Sequence, residues 1–316
     1  MNIFLLLTNG LLIAATYALS KAVLAADVPV LTLLAWQLAP AAVLINLVAA
    51  WRGERPTLSA PHLRYYVVAG VLGMLLPYTI TYISLAHLPA GVIGVAASLS
   101  AVMTYGIARA AGREPANLRR LIGLVLGLIG VLTLVVPKAA LPSPDLAGWV
   151  LIAVLAPLSL AAGNVYRSAA WPIGAPPLSL AAGMLAVLGV ATLTMAAAVG
   201  QLSVAASVPS TALAGIAAVA LLTTAFYLTA FEMQRRTSPS FVAQMGYVIS
   251  LGALAIGVVF LDETPSAWVW LAAGLVMAGI AVATRSTAGQ SDARTAISRL
   301  RPVRRRPRGK VAANIR

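Results

Sequence analysis

Leu76-Pro77-Tyr78-Thr79-Ile80-Thr81-Tyr82 lies near the end of a long apolar run, and Tyr227-Leu228-Thr229-Ala230-Phe231 echoes it some 150 residues later. Further landmarks recur at nearly the same offset. Pro89-Ala90 is matched by Pro239-Ser240 and Glu114 by Glu263; Gly123, Leu126, Gly130 and Val131 are matched by Ala272, Leu275, Gly279 and Ile280. The chain therefore reads as five helices followed by five related helices. Because five is odd, the second set must enter a membrane from the face opposite to the first.

That these are membrane helices follows from composition. Of 316 residues, 60% are hydrophobic and only 9% charged, and the mean hydropathy is +0.92. A soluble domain carries roughly 25% charged residues, so a soluble fold is excluded. Apolar runs separated by polar breaks predict spans over Ile3–Ala25, Pro29–Ala50, Leu63–Ala86, Gly91–Ala110 and Leu118–Val136. A second set covers Leu146–Tyr166, Leu178–Val199, Thr211–Glu232, Phe241–Phe260 and Ala267–Thr284. Each is long enough to cross a ~30 Å hydrocarbon layer as a helix. Strict alternation over about ten residues, the mark of a membrane strand, is missing. Val23-Leu24-Ala25-Ala26 resembles a cleavage site, but no side chain before Lys21 is charged, so the first span is expected to remain as a helix. The expectation is an all-α polytopic membrane protein: an inverted pair of five-helix repeats at 1–137 and 138–285, then a basic tail at 286–316.

Charge supplies the sidedness. The chain holds 22 Lys and Arg against 8 Asp and Glu, a net charge of +14. With the N-terminus in the cytoplasm, 20 of the 22 cations fall on one side, Arg167 among them; Lys138 and Lys21 are the exceptions. Basic residues near span ends mark the cytoplasmic face, so both termini are expected there, in the inner membrane of a prokaryote. Arg304-Arg305-Arg306-Pro307-Arg308 in the tail predicts contact with anionic lipid rather than with nucleic acid. Zero cysteines exclude disulfides and thiolate metal sites.

Tyr82-Ile83-Ser84-Leu85 through Pro89-Ala90-Gly91, then Gly112-Arg113-Glu114-Pro115 and Gly123–Val131, resemble the EamA family of the drug/metabolite transporter superfamily. Asp262-Glu263-Thr264-Pro265 through Gly279-Ile280 resemble its second domain, and Lys21 stands where that family usually has a lysine. The resemblance covers about residues 5–285. It implies ten helices, with helices 1, 3, 4, 6, 8 and 9 around a central cavity and 5 and 10 at the periphery, and small organic metabolites as cargo, mostly exported. The chain departs from the family's pattern at Ala101 and Ser250, which replace prolines, and at Gln37, which replaces a common basic residue.

Polar groups inside a bilayer are expensive and face protein or a water-filled cavity, which leaves few candidates for binding a solute. Lys21 reads either as a cation attracting an anionic part of the cargo, or as a snorkelling residue, or as one paired with Asp27 or Asp262. Pro77 kinks the third helix. Tyr78 and Tyr82, four apart, share a face, and Tyr227 and Phe231 repeat that spacing. The four rings read as a clamp on an apolar solute or as an interfacial aromatic belt, the belt suiting Tyr82 and Phe231 better. Gly91, Gly94, Ser98 and Ala101 form a small-residue stripe that either seats a neighbouring helix or borders the cavity. Gln244 and Tyr247 occupy the matching stretch of the ninth helix, where an amide needs partners. Asn164, one turn before Arg167, reads as a gate or a packing contact. Arg167 itself reads as a sidedness marker, and Glu232 as a local ion pair with Arg235 and Arg236. Gly123-x-x-x-Gly127 reads as a packing or dimer surface, leaving monomer and homodimer both open.

No nucleotide-binding GxxxxGK[ST] loop occurs, nor a carboxylate at midplane, nor a triad suited to hydrolysis. No cofactor and no metal are expected. Inverted repeats point to a secondary transporter working by alternating access around a midplane site, with an exported small organic solute such as an amino acid or drug-like compound as partner. A non-transporting scaffold or assembly protein is the alternative, and a membrane-embedded transferase lacks the buried ionisable cluster it would need.

Overall fold

The computed structural model describes residues 2–112, 118–135, 146–202, 208–275, 277–279 and 281–282. The tail at 286–316 and the loop holding Glu114 lie outside these. Among the described residues every regular element is helical. Eight helices are long and apolar enough to cross a membrane. They are α1 (Asn2–Leu24), α2 (Val30–Trp51), α3 (Ala60–Leu85), α4 (Ala90–Ala110), α6 (Ala147–Ala169), α7 (Pro177–Ala198), α8 (Ser210–Arg236) and α9 (Pro239–Phe260). Two more helices fall where the sequence places spans: α5 (Leu118–Val135) and the shorter α10 (Ala267–Gly279).

Local chemistry sets the helix ends. Pro29, Pro89, Pro176 and Pro209 stand at the N-caps of α2, α4, α7 and α8, where a residue without an N–H loses no helical bond. α2 and α7 close on the same device. Gly53 and Gly200, 147 positions apart, adopt φ of +72°, a conformation glycine enters without strain. Around them Glu54 N–H bonds Ala49 O and Gly53 N–H bonds Ala50 O, while Gln201 bonds Ala196 and Gly200 bonds Ala197. Both are Schellman closures, so the repeat extends to individual backbone hydrogen bonds. α8 runs four residues past its expected end, carried by Glu232 pairing with Arg235 at 3.0 Å and with Arg236.

Packing shows how the repeats are related. α1 packs on α8 and α9 as α6 packs on α3 and α4, and α2 packs on α7 and α8 as α7 packs on α2 and α3. Exchanging each helix for the one five later preserves these neighbours. Equivalent helices run antiparallel: Thr32 at the start of α2 bonds Gln201 O beyond α7 at 2.7 Å, and Ser179 at the start of α7 bonds Arg55 O beyond α2 at 3.1 Å. The two units are thus inverted about an approximate two-fold axis lying across the helices.

α4 and α9 cross at that axis. Both tighten there, with three-residue bonds from Leu99 N–H to Ala96 O and from Tyr247 N–H to Gln244 O. A Cβ on Gly94 would lie 2.8 Å from the Ala253 side chain, and one on Gly246 would lie 2.8 Å from Ala97 O. The small-residue stripe of α4 therefore seats α9, since helices in lipid associate through close packing rather than through the hydrophobic effect. Leu47, Val190, Leu221 and Val259 stay exposed on the outside, as a surface facing lipid tails requires.

Candidate functional site: a buried arginine in a cavity between the repeats

The site begins with a distortion in α3. Residues Val71–Leu75 form a π-helical turn, and Pro77 just beyond has no N–H to bond the carbonyl four residues earlier. Such a turn disrupts the hydrogen-bond ladder, and Ser159 of α6 answers by donating to Leu72 O at 2.9 Å. The two helices come together here because neither has a side chain in the way. A Cβ on Gly163 would lie 2.7 Å from the Gly73 Cα and N.

This contact makes room for Arg167. It lies in the last turn of α6, and helical side chains lean toward the helix N-terminus, so it reaches back into the bundle. It is 6% exposed. One guanidinium nitrogen donates to Asn164 Oδ1, another lies where a Gly73 Cβ would come within 3.0 Å, and the Phe231 ring lies 5.8 Å from its Cζ. Its Nε is buried without a partner among the described residues. Gln234 completes the surround, its amide donating to Asn164 O at 3.1 Å and to Ser168 Oγ at 2.8 Å. Among the described residues no carboxylate pairs with Arg167. As a sidedness marker Arg167 is expected to reach the headgroups; its side chain is instead turned away from the exterior and lines a cavity.

That cavity measures about 40 Å³, room for a few water molecules and not for an organic solute. Tyr17 of α1, Pro77 and Tyr78 of α3, Arg167 of α6, Tyr227, Phe231 and Gln234 of α8, and Met245 and Ile249 of α9 contribute to its walls. A second space of about 20 Å³ adds Ile93 and Ala97 of α4 and Pro157 of α6, and shares Tyr17, Pro77 and Leu160 with the first. Both repeats contribute, and the six helices are those the family resemblance implies.

The expected site residues divide. Tyr78 and Tyr227 line the cavity, and Asn164 orients Arg167. Tyr82 stacks on Tyr78, with ring centroids 5.7 Å apart and planes 6° from parallel, as their spacing predicts. It is fully buried, however, and its hydroxyl donates to Gln37 Oε1 at 2.7 Å while Gln37 Nε2 donates to Thr223 at 2.8 Å. Gln37 and Tyr82 thus tie α2, α3 and α8 together behind the cavity wall. An interfacial belt does not describe Tyr82, nor Phe231, which is buried against Arg167. Ser98 turns back on Val95 O at the tightened turn of α4. Gln244 joins the two parts of α9, and neither it nor Tyr247, both half-buried, reaches the described walls.

Lys21 lies apart from both spaces. Its Nζ is 2.5 Å from Glu263 Oε1, a partner other than the Asp27 or Asp262 the sequence suggested. The same carboxylate accepts the Ala90 and Gly91 N–H groups at 2.7 and 3.2 Å, at the N-terminus of α4 where helix polarity favours an anion. This cluster binds α1 and α4 of the first repeat to the α9–α10 connection of the second.

Sequence reasoning passed over Tyr17, Gly73 and Gln234, which carry no motif. The Asn164–Arg167 spacing, one helical turn, was the available signal for Arg167.

No curated protein matches the chain in sequence. A solved structure, described only as the crystal structure of a protein, shares the fold at a TM-score of 0.59 and 19% identity, over 87% of this chain and 95% of its own. The EamA-like transporter family matches residues 1–136 and 147–285, one match on each inverted unit. The chain is a multi-pass membrane protein and belongs to the EamA-like transporter family.

Proposed function

We propose that this protein is a secondary transporter that exports small organic solutes by alternating access, with the Arg167 cavity as its binding site. The observation that carries this reading is the position of the cavity. It lies between two inverted repeats, both of which supply walls, so rocking one unit against the other would expose it first to one side and then to the other. In the arrangement described the cavity has room for a few water molecules, and the Lys21–Glu263 cluster pins the repeats together at one end. Release of that cluster, or separation of α6 from α8 at the Arg167 end, is the motion transport requires.

The reading includes ten spans in repeats at 1–137 and 138–285, both termini in the cytoplasm of a prokaryotic inner membrane, and a basic tail at 286–316 resting on anionic lipid. It covers a monomer or a homodimer and needs no cofactor. The absence of native cysteine makes the topology directly testable: single cysteines placed in the α2–α3 and α6–α7 loops should label from the cytoplasm only.

The deciding experiment is uptake into liposomes containing the purified full-length chain, against empty liposomes, with a panel of labelled amino acids, organic acids and drug-like amines. Faster crossing of at least one class is expected. If none crosses faster and none raises the melting temperature of the purified protein, the scaffold reading replaces this one.

A further inference from the structure

Arg167 presents a physical problem that the fold alone does not resolve. A guanidinium has five N–H donors, no acceptor and a positive charge. A buried charge is tolerated where it is paired and its hydrogen-bonding capacity filled. Among the described residues one amide oxygen and one aromatic face attend it, both uncharged, and Nε has nothing. The cation lines the cavity between the repeats, so the space beside it, widened when the repeats move apart, is where a compensating anion would sit.

We propose that the transported solute carries a carboxylate that binds Arg167, and that Asn164 and Gln234 position the guanidinium for it. This rests on the transporter reading and specifies its substrate class. A carboxylate matches the planar fork of arginine, and such charge-assisted pairs are stronger than neutral hydrogen bonds. The rest of the solute is apolar or aromatic, because Tyr78, Tyr227, Phe231 and Ile249 supply the surrounding surface. The described lining holds no carboxylate to receive an ammonium group, so simple acids are preferred over zwitterionic amino acids and over amines.

Three features prepare the site for an anion. Gly73 leaves space for the guanidinium. Asn164, rather than aspartate, holds it without neutralising it. Gln234 spends its amide N–H groups on Asn164 O and Ser168, fixing the turn of α6 from which Arg167 projects.

The test uses benzoate, its neutral isostere benzamide, and benzylamine, titrated into the purified full-length protein and followed by calorimetry and thermal stabilisation. Benzoate should bind and stabilise, with benzamide and benzylamine at least about tenfold weaker, the scale of one charge-assisted hydrogen bond. R167Q should lose that preference and R167K should recover part of it. N164D provides a variant that keeps the fold, since its new carboxylate occupies the arginine internally, and it should also weaken benzoate by about tenfold or more. Equal binding of benzoate and benzamide, or undiminished benzoate binding by a folded R167Q or N164D, overturns the proposal.

The liposome panel separates this failure from that of the transporter reading. Transport of neutral or amine solutes at unchanged rate by R167Q overturns the carboxylate site and leaves the transporter. Benzoate binding that depends on Arg167, with no solute crossing in any arm, overturns the transporter and leaves an anion-binding membrane protein.

Discussion

Lys21 and Arg167 stand in corresponding places, each in the last turn of the first helix of its repeat, yet their surroundings are opposite. Lys21 is half-buried and its charge is met by Glu263, which also receives two backbone N–H groups. Arg167 is more deeply buried and, among the described residues, is met only by neutral groups. A charge neutralised within the fold can fasten two elements together, whereas one left uncompensated beside a cavity keeps its binding capacity for something that arrives later. Inversion of the repeats places these two residues toward opposite ends of the bundle, one serving as a clasp and the other as a receptor.

The largest effect is expected at the clasp. Glu263→Ala removes the partner of Lys21 and strips Ala90 and Gly91 of their acceptor. Breaking a buried pair costs about 3–5 kcal/mol, and partial exposure of Lys21 lowers the expected loss to about 2–3 kcal/mol, to be read as a fall in melting temperature. Exchanging the two residues, Lys21→Glu with Glu263→Lys, should not restore stability, because a lysine cannot accept the N–H groups of α4. Full recovery in the exchanged protein would show that charge alone mattered.

At the receptor the sign reverses. Asn164→Asp gives Arg167 a charged neighbour and should stabilise the protein by about 1–2 kcal/mol; a loss of stability there would mean that Arg167 is already compensated. Gly73→Ala brings a Cβ to 3.0 Å from the guanidinium. Displacing the arginine should cost about 1 kcal/mol, with a larger proportional loss in benzoate binding than in melting temperature. The smallest effect belongs to Glu232→Gln. Its pairs with Arg235 and Arg236 lie at an accessible helix end, and such pairs are worth about 0.5 kcal/mol or less, within reach of chemical denaturation in mild detergent.

Much of the framework was legible before any coordinates. Hydropathy located the helices to within a few residues, and the ends that shifted have local causes, such as the Glu232 pairs that extend α8. The offset between Tyr78–Tyr82 and Tyr227–Phe231 revealed the repeat. The spacing of Tyr78 and Tyr82 foretold their stacking, but not that the Tyr82 hydroxyl would turn to Gln37 instead of the cavity. Arg167 was misread because an arginine at a span end looks alike whether it points to the headgroups or back into the bundle.

That this chain crosses a membrane as related helical units is written in its linear order, in the length of the apolar runs and in their repetition at a near-constant offset. Which residues face the cavity depends on how the helices pack. A helix such as α7 is apolar on every side, so no periodicity distinguishes a lipid face from a protein face. The separation of a paired lysine from an unpaired arginine depends on groups 242 residues apart in one case and on a glycine contact between two helices in the other. Proximity of that kind exists only once the helices have packed.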